Sequence, residues 1–253
     1  MKVTNDVMGV LEACEVTENR LQLPPTQLDR ALYLKVDKVL KAAGGKWDRK
    51  EKAHIFPENA EDTIENIMLT GEITTRQDID FFPTPPEIVQ QMIELAELHS
   101  GMDILEPSAG DGAIIRGLQN AGVADSCSAI LVEKNSDLCD RLWKDYGHRH
   151  TVVNLDFLEM IALPEDIQPT VVIMNPPFSK QQDIKHVMHA YSMLREGGRL
   201  VSVMSSSFTF RENNLSRDFR EFVATHGEVI ELPPGSFKTS GTMVNTVLVI
   251  LRK

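Results

Sequence analysis

The segment Val171-Val172-Ile173-Met174 is apolar on every residue and runs directly into Asn175-Pro176-Pro177-Phe178. A strand with one face in water alternates apolar and polar side chains. A strand without polar positions must be covered on both faces, as a central strand is in a sheet flanked by helices. This commits the chain to a layered α/β architecture. The two prolines then end the strand, because neither can donate to a ladder and each restricts the residue before it.

The surrounding sequence agrees. After Phe81 strands and helices alternate. Strands are predicted at Asp103–Glu106, Ser128–Glu133, Thr151–Leu155, Thr170–Asn175, Arg199–Met204, Val229–Leu232 and Thr246–Leu251. Helices are predicted at Pro86–His99, Ala113–Ala121, Ser136–Tyr146, Lys185–Arg195 and Ser216–His226. This is the pattern of a doubly wound α/β sheet with a largely parallel core, in which ligands bind beyond the carboxyl ends of the strands. Residues 1–75 read differently, as short polar elements. Pro24-Pro25 is a break. A helix is predicted from Gln27 to Ala43, ended by Gly44-Gly45. Lys46 to Phe56 reads as a hairpin turning near Asp48–Glu51, and Gly71 to Asp78 reads as a polar linker. The expected division is a small N-terminal α+β module at 1–75 and a main domain at 76–253.

A length of 253 residues suits one large domain with an appendage. The net charge of -11 argues mildly against a polyanionic partner. The charge is uneven, however. Between Asp29 and Lys52 there are eight basic and four acidic residues, a local +4 that leaves -15 for the rest. Such a patch can meet nucleic acid, although a solvated helix and hairpin would look the same. No apolar run approaches the roughly 18 residues of a spanning helix, so no membrane partner is expected. Asn5 and Asp6 sit where a signal peptide needs an apolar run, so a cytoplasmic location is expected. Cys14, Cys127 and Cys139 form no C-x-x-C pair and have no histidine at ligand spacing. They read as reduced buried thiols, with no metal site.

Three loops fall at the carboxyl ends of the predicted strands. Glu106-Pro107-Ser108-Ala109-Gly110-Asp111-Gly112 joins a strand to a helix, and its glycines allow close approach to a ligand. Alone it is equally a structural turn. Glu133 follows Gly112 by 21 residues at the end of the next strand, where an acid can accept from ribose hydroxyls. That placement does not separate a nucleotide cofactor from S-adenosylmethionine. Asp156-Phe157, after a third strand, can bond an adenine amine and flank its ring, or can be a helix cap followed by a core residue.

Asn175-Pro176-Pro177-Phe178 carries the most specific chemistry. The prolines make a stiff turn with fixed carbonyl directions. The Asn175 side-chain oxygen and the Pro176 carbonyl could both accept from one planar NH2 group. Two such acceptors draw the nitrogen toward tetrahedral geometry and stabilise the positive charge that develops as it is methylated. No prior general base is needed, because the proton can leave afterwards. Phe178 offers a face to a base swung out of its stack.

On these residues the chain resembles the amino-methyltransferases of the class I S-adenosylmethionine-dependent fold, and within them the N6-adenine DNA methyltransferases. Their catalytic motif, D/N/S-P-P-Y/F/W, is read here as Asn175-Pro176-Pro177-Phe178, and the resemblance covers about Phe81 to Lys253. Phe82-Pro83-Thr84-Pro85 is similar to the family's cofactor segment, which places Thr84 on the methionine carboxylate. Glu106 through Gly112 is similar to the methionine-binding loop, Glu133 to the ribose acid, and Asp156-Phe157 to the adenine pocket. The motif order resembles the γ arrangement, of a phage or plasmid type. The resemblance implies a Rossmann-like sheet of seven strands with the last antiparallel, and a late loop, Phe237 to Thr242, lining the target-base pocket. It implies S-adenosylmethionine as cofactor, a flipped adenine as target and DNA as partner; it gives no oligomeric state. The chain ends after its last predicted strand, where γ enzymes carry a recognition domain. Few base contacts are therefore expected, from residues 1–75 or from Ser205–Asn214. The candidate nucleic-acid contacts are Lys46, Arg49, Lys50 and Lys52 on the hairpin, with Lys180, Arg211 and Lys238. Methylation of RNA adenine or of a protein glutamine amide uses the same electronic logic. A catalytically silent protein that binds DNA or a restriction enzyme is the reading from another class.

Overall fold

A computed structural model describes residues 1–26, 28–57, 59–73, 82–163, 167–240 and 244–253. The chain forms two compact units, Met1–Asp80 with Gly241–Val244, and Phe81–Ser240 with Asn245–Lys253.

The first unit is better built than its polar sequence suggests. Its elements are α1 (Asn5–Glu12), β1 (Glu15–Thr17), β2 (Arg20–Gln22), α2 (Arg30–Ala42), β3 (Lys46–Asp48), β4 (Ala53–Ile55) and α3 (Ala60–Thr70). The strands form an antiparallel sheet in the order β1-β2-β4-β3. Val7, Leu11, Leu21, Val36, Leu40 and Phe56 are buried within the unit. Asp29 caps α2 by accepting from Ala31 and Leu32, and Asn59 caps α3 in the same way from Glu61 and Asp62. The expected helix at Gln27–Ala43 and the hairpin at Lys46–Phe56 are present, although Gln27 itself lies outside the described residues. The expected linker is corrected at its start. Gly71 ends α3 in the left-handed region, and its carbonyl accepts from Val3 N at 2.7 Å. Met1 and Ile73 exchange two further backbone bonds. The remainder of that stretch, 74–78, lies outside the described residues.

The second unit is a seven-stranded sheet. Its strands are β5 (Asp103–Pro107), β6 (Ser128–Glu133), β7 (Thr151–Asn154), β8 (Val171–Met174), β9 (Arg199–Ser205), β10 (Gly227–Glu231) and β11 (Thr246–Arg252). Its helices are α4 (Pro86–Ala96), α5 (Ala113–Asn120), α6 (Ser136–Tyr146), α7 (Gln182–Met193) and α8 (Asn214–His226). The strand order is β10-β11-β9-β8-β5-β6-β7. Strands β5 to β9 run parallel, and β11 is antiparallel to both β9 and β10. The doubly wound fold with a reversed last strand is therefore present. All four residues of β8 are buried, as the sequence demanded. Val172 and Met174 join one core with Ile184 and Val187 of α7 and Phe219 and Val223 of α8. Val171 and Ile173 point to the other face, where α4 packs on β8 and on α5. Winding from β5 proceeds to β6 in one direction, and winding from β8 proceeds to β9 in the other. The β5/β8 pair is thus the topological switch point, and the loops after both strands open onto one crevice.

Gly117 sets how closely α4 and α5 approach. A Cβ built there would lie 2.2 Å from Val89 Cγ1. In an open helix alanine would be favoured over glycine by about 1 kcal/mol. Here a branched side chain with little χ1 freedom blocks the space. Gly117→Ala is expected to destabilise the fold by about 1–3 kcal/mol in urea denaturation, and Val89→Ala should recover part of that stability.

Candidate active site

The loop after β5 has an alternating backbone. Ser108, Gly110 and Gly112 have φ of 56, 58 and 76°. Glycine takes this region freely, whereas Ser108 is held there against its preference. Two bonds to the end of β6 hold the loop. Ala109 N donates to the Val132 carbonyl at 2.9 Å, and Gly110 N donates to Glu133 Oε2 at 2.8 Å. The other oxygen of Glu133 accepts from Asn135 N at 2.7 Å. The Glu133 carbonyl takes Leu155 N and the Asn154 amide, fixing the loop after β7. One residue thus ties three loops together. Its carboxylate keeps a spare lone pair on each oxygen for a further donor.

Glu106, one strand over, is treated in the opposite way. It is 1% exposed, and its Oε2 is enclosed without a hydrogen bond among the described residues. Burial raises its pKa well above the ordinary carboxylate range, and the Ile115 backbone amide opposes this only in part. Asp111, by contrast, faces outward in an ion pair with Arg116.

The turn after β8 is fixed through its first residue. Asn175 Nδ2 donates to the Phe82 carbonyl and to Thr84 Oγ1, each at 3.1 Å. A backbone carbonyl can only accept, so the amide nitrogen must face it and the orientation is determined. Asn175 Oδ1 is left enclosed with no hydrogen-bond partner among the described residues. A buried acceptor left unpaired costs roughly 1–3 kcal/mol, which marks it as a place where a donor is wanted. The Phe82–Pro85 segment leads into α4, whose first residue is Pro86, and its Pro83 carbonyl accepts from Ser240 Oγ at 2.6 Å. Phe82, Thr84, Pro85, the 106–112 loop, Glu133 and Asn175 therefore lie at one end of the sheet, around the switch point. Gly241 and Thr242 of the expected late loop lie outside the described residues.

Three expectations are corrected. Phe178 does not present an open face: it is 4% exposed and packed in the core, beside a buried Pro176 and a half-buried Pro177. Phe157 is likewise a core residue, 2% exposed and edge-on to His189, while Asp156 caps its turn by accepting from Leu158 N. Arg211 is 6% exposed and so is not available to a phosphate, and its carbonyl accepts from Arg220. Lys180 and Lys238 remain exposed at this end, and Lys46, Arg49, Lys50 and Lys52 are exposed on the hairpin of the first unit.

The sequence pattern gives no sign of the clamp behind the turn. Lys180 and Gln181 both have left-handed backbones, with φ of 54 and 55°. Two successive non-glycine residues in this region are strained. The Gln181 side chain holds them by donating to Ser216 Oγ at 2.6 Å and accepting from Asn213 Nδ2 at 2.9 Å. Asp183 then joins α7 to β9 by accepting from Ser205 N at 3.1 Å. No spacing rule connects residues 181 and 213.

The site fits a group carrying an adenosine and an amino-acid end, with an acid, a glycine loop and a hydroxyl around one crevice. Glu106 offers a pH signature of the site without cofactor. A carboxyl group whose folded pKa is raised contributes its stability below the unfolded value of about 4.5, and loses it as pH rises toward the folded value. Glu106→Gln should therefore raise the melting temperature more at pH 8 than at pH 5. A constant difference across that range would show Glu106 ionised in the fold.

No protein-family model matches the chain, and no curated protein sequence matches it. Solved structures do share its fold. One is the methyltransferase subunit of a type I restriction-modification system from Streptococcus thermophilus, with 18% identity and a TM-score of 0.61 over 88% of this chain and 53% of that one. This chain thus spans about half the length of that subunit. A dimethyladenosine transferase from Plasmodium falciparum matches with 17% identity and a TM-score of 0.51, over 68% of this chain and 63% of that one. The 23S rRNA methyltransferase ErmE matches with 19% identity and a TM-score of 0.50, over 68% and 70%. The second unit has the class I, Rossmann-like methyltransferase fold.

Proposed function

We propose that this chain transfers a methyl group from S-adenosylmethionine to the exocyclic N6 amine of adenine in DNA. The observation that carries the reading is the determined orientation of Asn175, whose enclosed Oδ1 is left as an unpartnered acceptor beside the crevice. A hydroxyl or carboxylate target would need a donor or a base there. An amine needs an acceptor. The Pro176 carbonyl, on a turn stiffened by two prolines, is the second acceptor.

S-adenosylmethionine supplies the methyl group when bound. Thr84, the Ser108–Gly112 loop, Glu133 and Asp156 are the residues that would hold it. Asn175 Oδ1 and the Pro176 carbonyl accept the two amine hydrogens, so the nitrogen lone pair is withdrawn from the ring and directed at the reacting carbon. As the nitrogen gains its bond and positive charge, both acceptors bind it more strongly, which is where the rate gain arises. One proton then leaves the nitrogen. A DNA target is favoured by the exposed cations Lys46, Arg49, Lys50 and Lys52, and by the restriction-modification setting of the Streptococcus subunit that shares the fold. Capture of a flipped base requires the packed Phe178 ring to turn outward.

The test is to incubate the chain with unmodified DNA and labelled cofactor, digest the product to nucleosides and identify the labelled one. Label in N6-methyldeoxyadenosine is expected; label in another nucleoside, or none, overturns the reading. Asn175→Ala should lower transfer by about 100-fold or more, the scale of removing one preorganised polar group at a reacting centre. Asn175 also anchors Phe82 and Thr84, so calorimetry should show a smaller but measurable fall in cofactor affinity.

A further inference from the structure

The hairpin of the first unit carries an aromatic ring in an unusual setting. Trp47 lies on β3, the edge strand of its sheet, and is 46% exposed. Its cross-strand partner is His54, which is fully buried. The two rings meet edge-on at 5.2 Å, and His54 Nε2 lies 3.5 Å from Asp37 on α2. Burial lowers the His54 pKa from the ordinary imidazole value, and the contact with Asp37 opposes this. The Trp47 ring thus rests against His54 and is nearly half exposed.

The charges around it are arranged by the same local chemistry. Asp48 is occupied in the turn, accepting from Lys50 N and Glu51 N, and Asp37 is occupied by Lys41 and His54. Among the described residues, Lys46, Arg49, Lys50 and Lys52 form no ion pair. Four exposed cations thus share a hairpin with the exposed ring, Arg49, Lys50 and Lys52 in the turn that follows its strand and Lys46 before it on the edge strand, with its side chain on the other face. Phosphate binding alone needs only the cations. An exposed aromatic face adds something a stacked base pair cannot use and an unpaired base can, because every base has a π-face and stacking tolerates any sequence.

We propose that the first unit binds an unpaired stretch of nucleic acid, with one base stacked on Trp47 and the adjoining phosphates on Lys46, Arg49, Lys50 and Lys52. The inference rests on the reading of a nucleic-acid substrate but not on methyl transfer. It gives the first unit the task of holding a strand whose bases are already exposed.

The chain has two tryptophans, the other being Trp143 on α6, so Trp143→Phe in the full-length chain leaves Trp47 as the sole reporter. Without cofactor, a twelve-residue oligo-dT should quench its fluorescence saturably, and a duplex of equal length should bind at least several-fold more weakly. Oligo-dT contains no adenine, so failure of the methyl-transfer reading leaves this titration unchanged. In the wild-type background Trp47→Ala should weaken oligo-dT binding by about 5- to 100-fold, whereas Trp47→Phe should stay close to wild type. Melting curves check that both variants fold. Replacing the four cations by alanine should flatten the salt dependence, by roughly 0.7 in slope for each phosphate no longer neutralised. Absence of quenching, equal affinity for duplex, or stronger quenching by anionic lipid vesicles would overturn the proposal.

Discussion

Strands β5 and β8 have no face to offer water, and their pairing is the constraint from which the second unit follows. Covering both faces requires helices on each side. Placing those helices by right-handed crossovers requires the chain to wind away from the pair in opposite directions. A crevice then opens where the windings diverge, at the carboxyl ends of the two strands. The glycine loop leaves one of these ends and the double-proline turn leaves the other. The proximity of the two motifs is a product of topology and needs no separate device.

Two carboxylates near this crevice show how the fold divides work between like groups. Glu133 receives a backbone amide on each oxygen, which locks neighbouring loops. Glu106, on the adjacent strand, is enclosed with one oxygen lacking a hydrogen bond among the described residues. One organises the loops around it. The other is enclosed, and burial raises its pKa well above the ordinary carboxylate range. Asn175 completes the set with a neutral acceptor whose direction is decided by a carbonyl 93 residues away.

The central sheet was legible because its signals are long and redundant. Ser128–Glu133 and Ser136–Tyr146 coincide with the observed elements, since apolar runs and an Asn135 cap leave little latitude. The first unit was legible only at α2 and the β3–β4 hairpin. β1 and β2 are three residues each, too short for a period to register. In α3 the apolar positions Ile64, Ile67 and Met68 do keep helical spacing, but Glu61, Asp62 and Glu65 make the stretch read as polar. At the site, loop positions were readable and side-chain directions were not. Phe157 and Phe178 each follow a polar motif at a strand end, where the next ring can turn to the crevice or to the core. Phe157 packs against His189, and Phe178 is buried. Arg211 is similar: its burial depends on the path of the 206–214 segment, which no local pattern encodes.

The left-handed pair Lys180–Gln181 has a consequence for engineering. Glycine at either position would relax the backbone and is a natural choice in a search for thermostable variants. It would also release the turn that follows Phe178 from its well-defined path. Selection for heat resistance at these two residues therefore runs against precision in the Asn175–Phe178 turn, so a library screened on melting temperature alone would enrich for variants with a loosened turn.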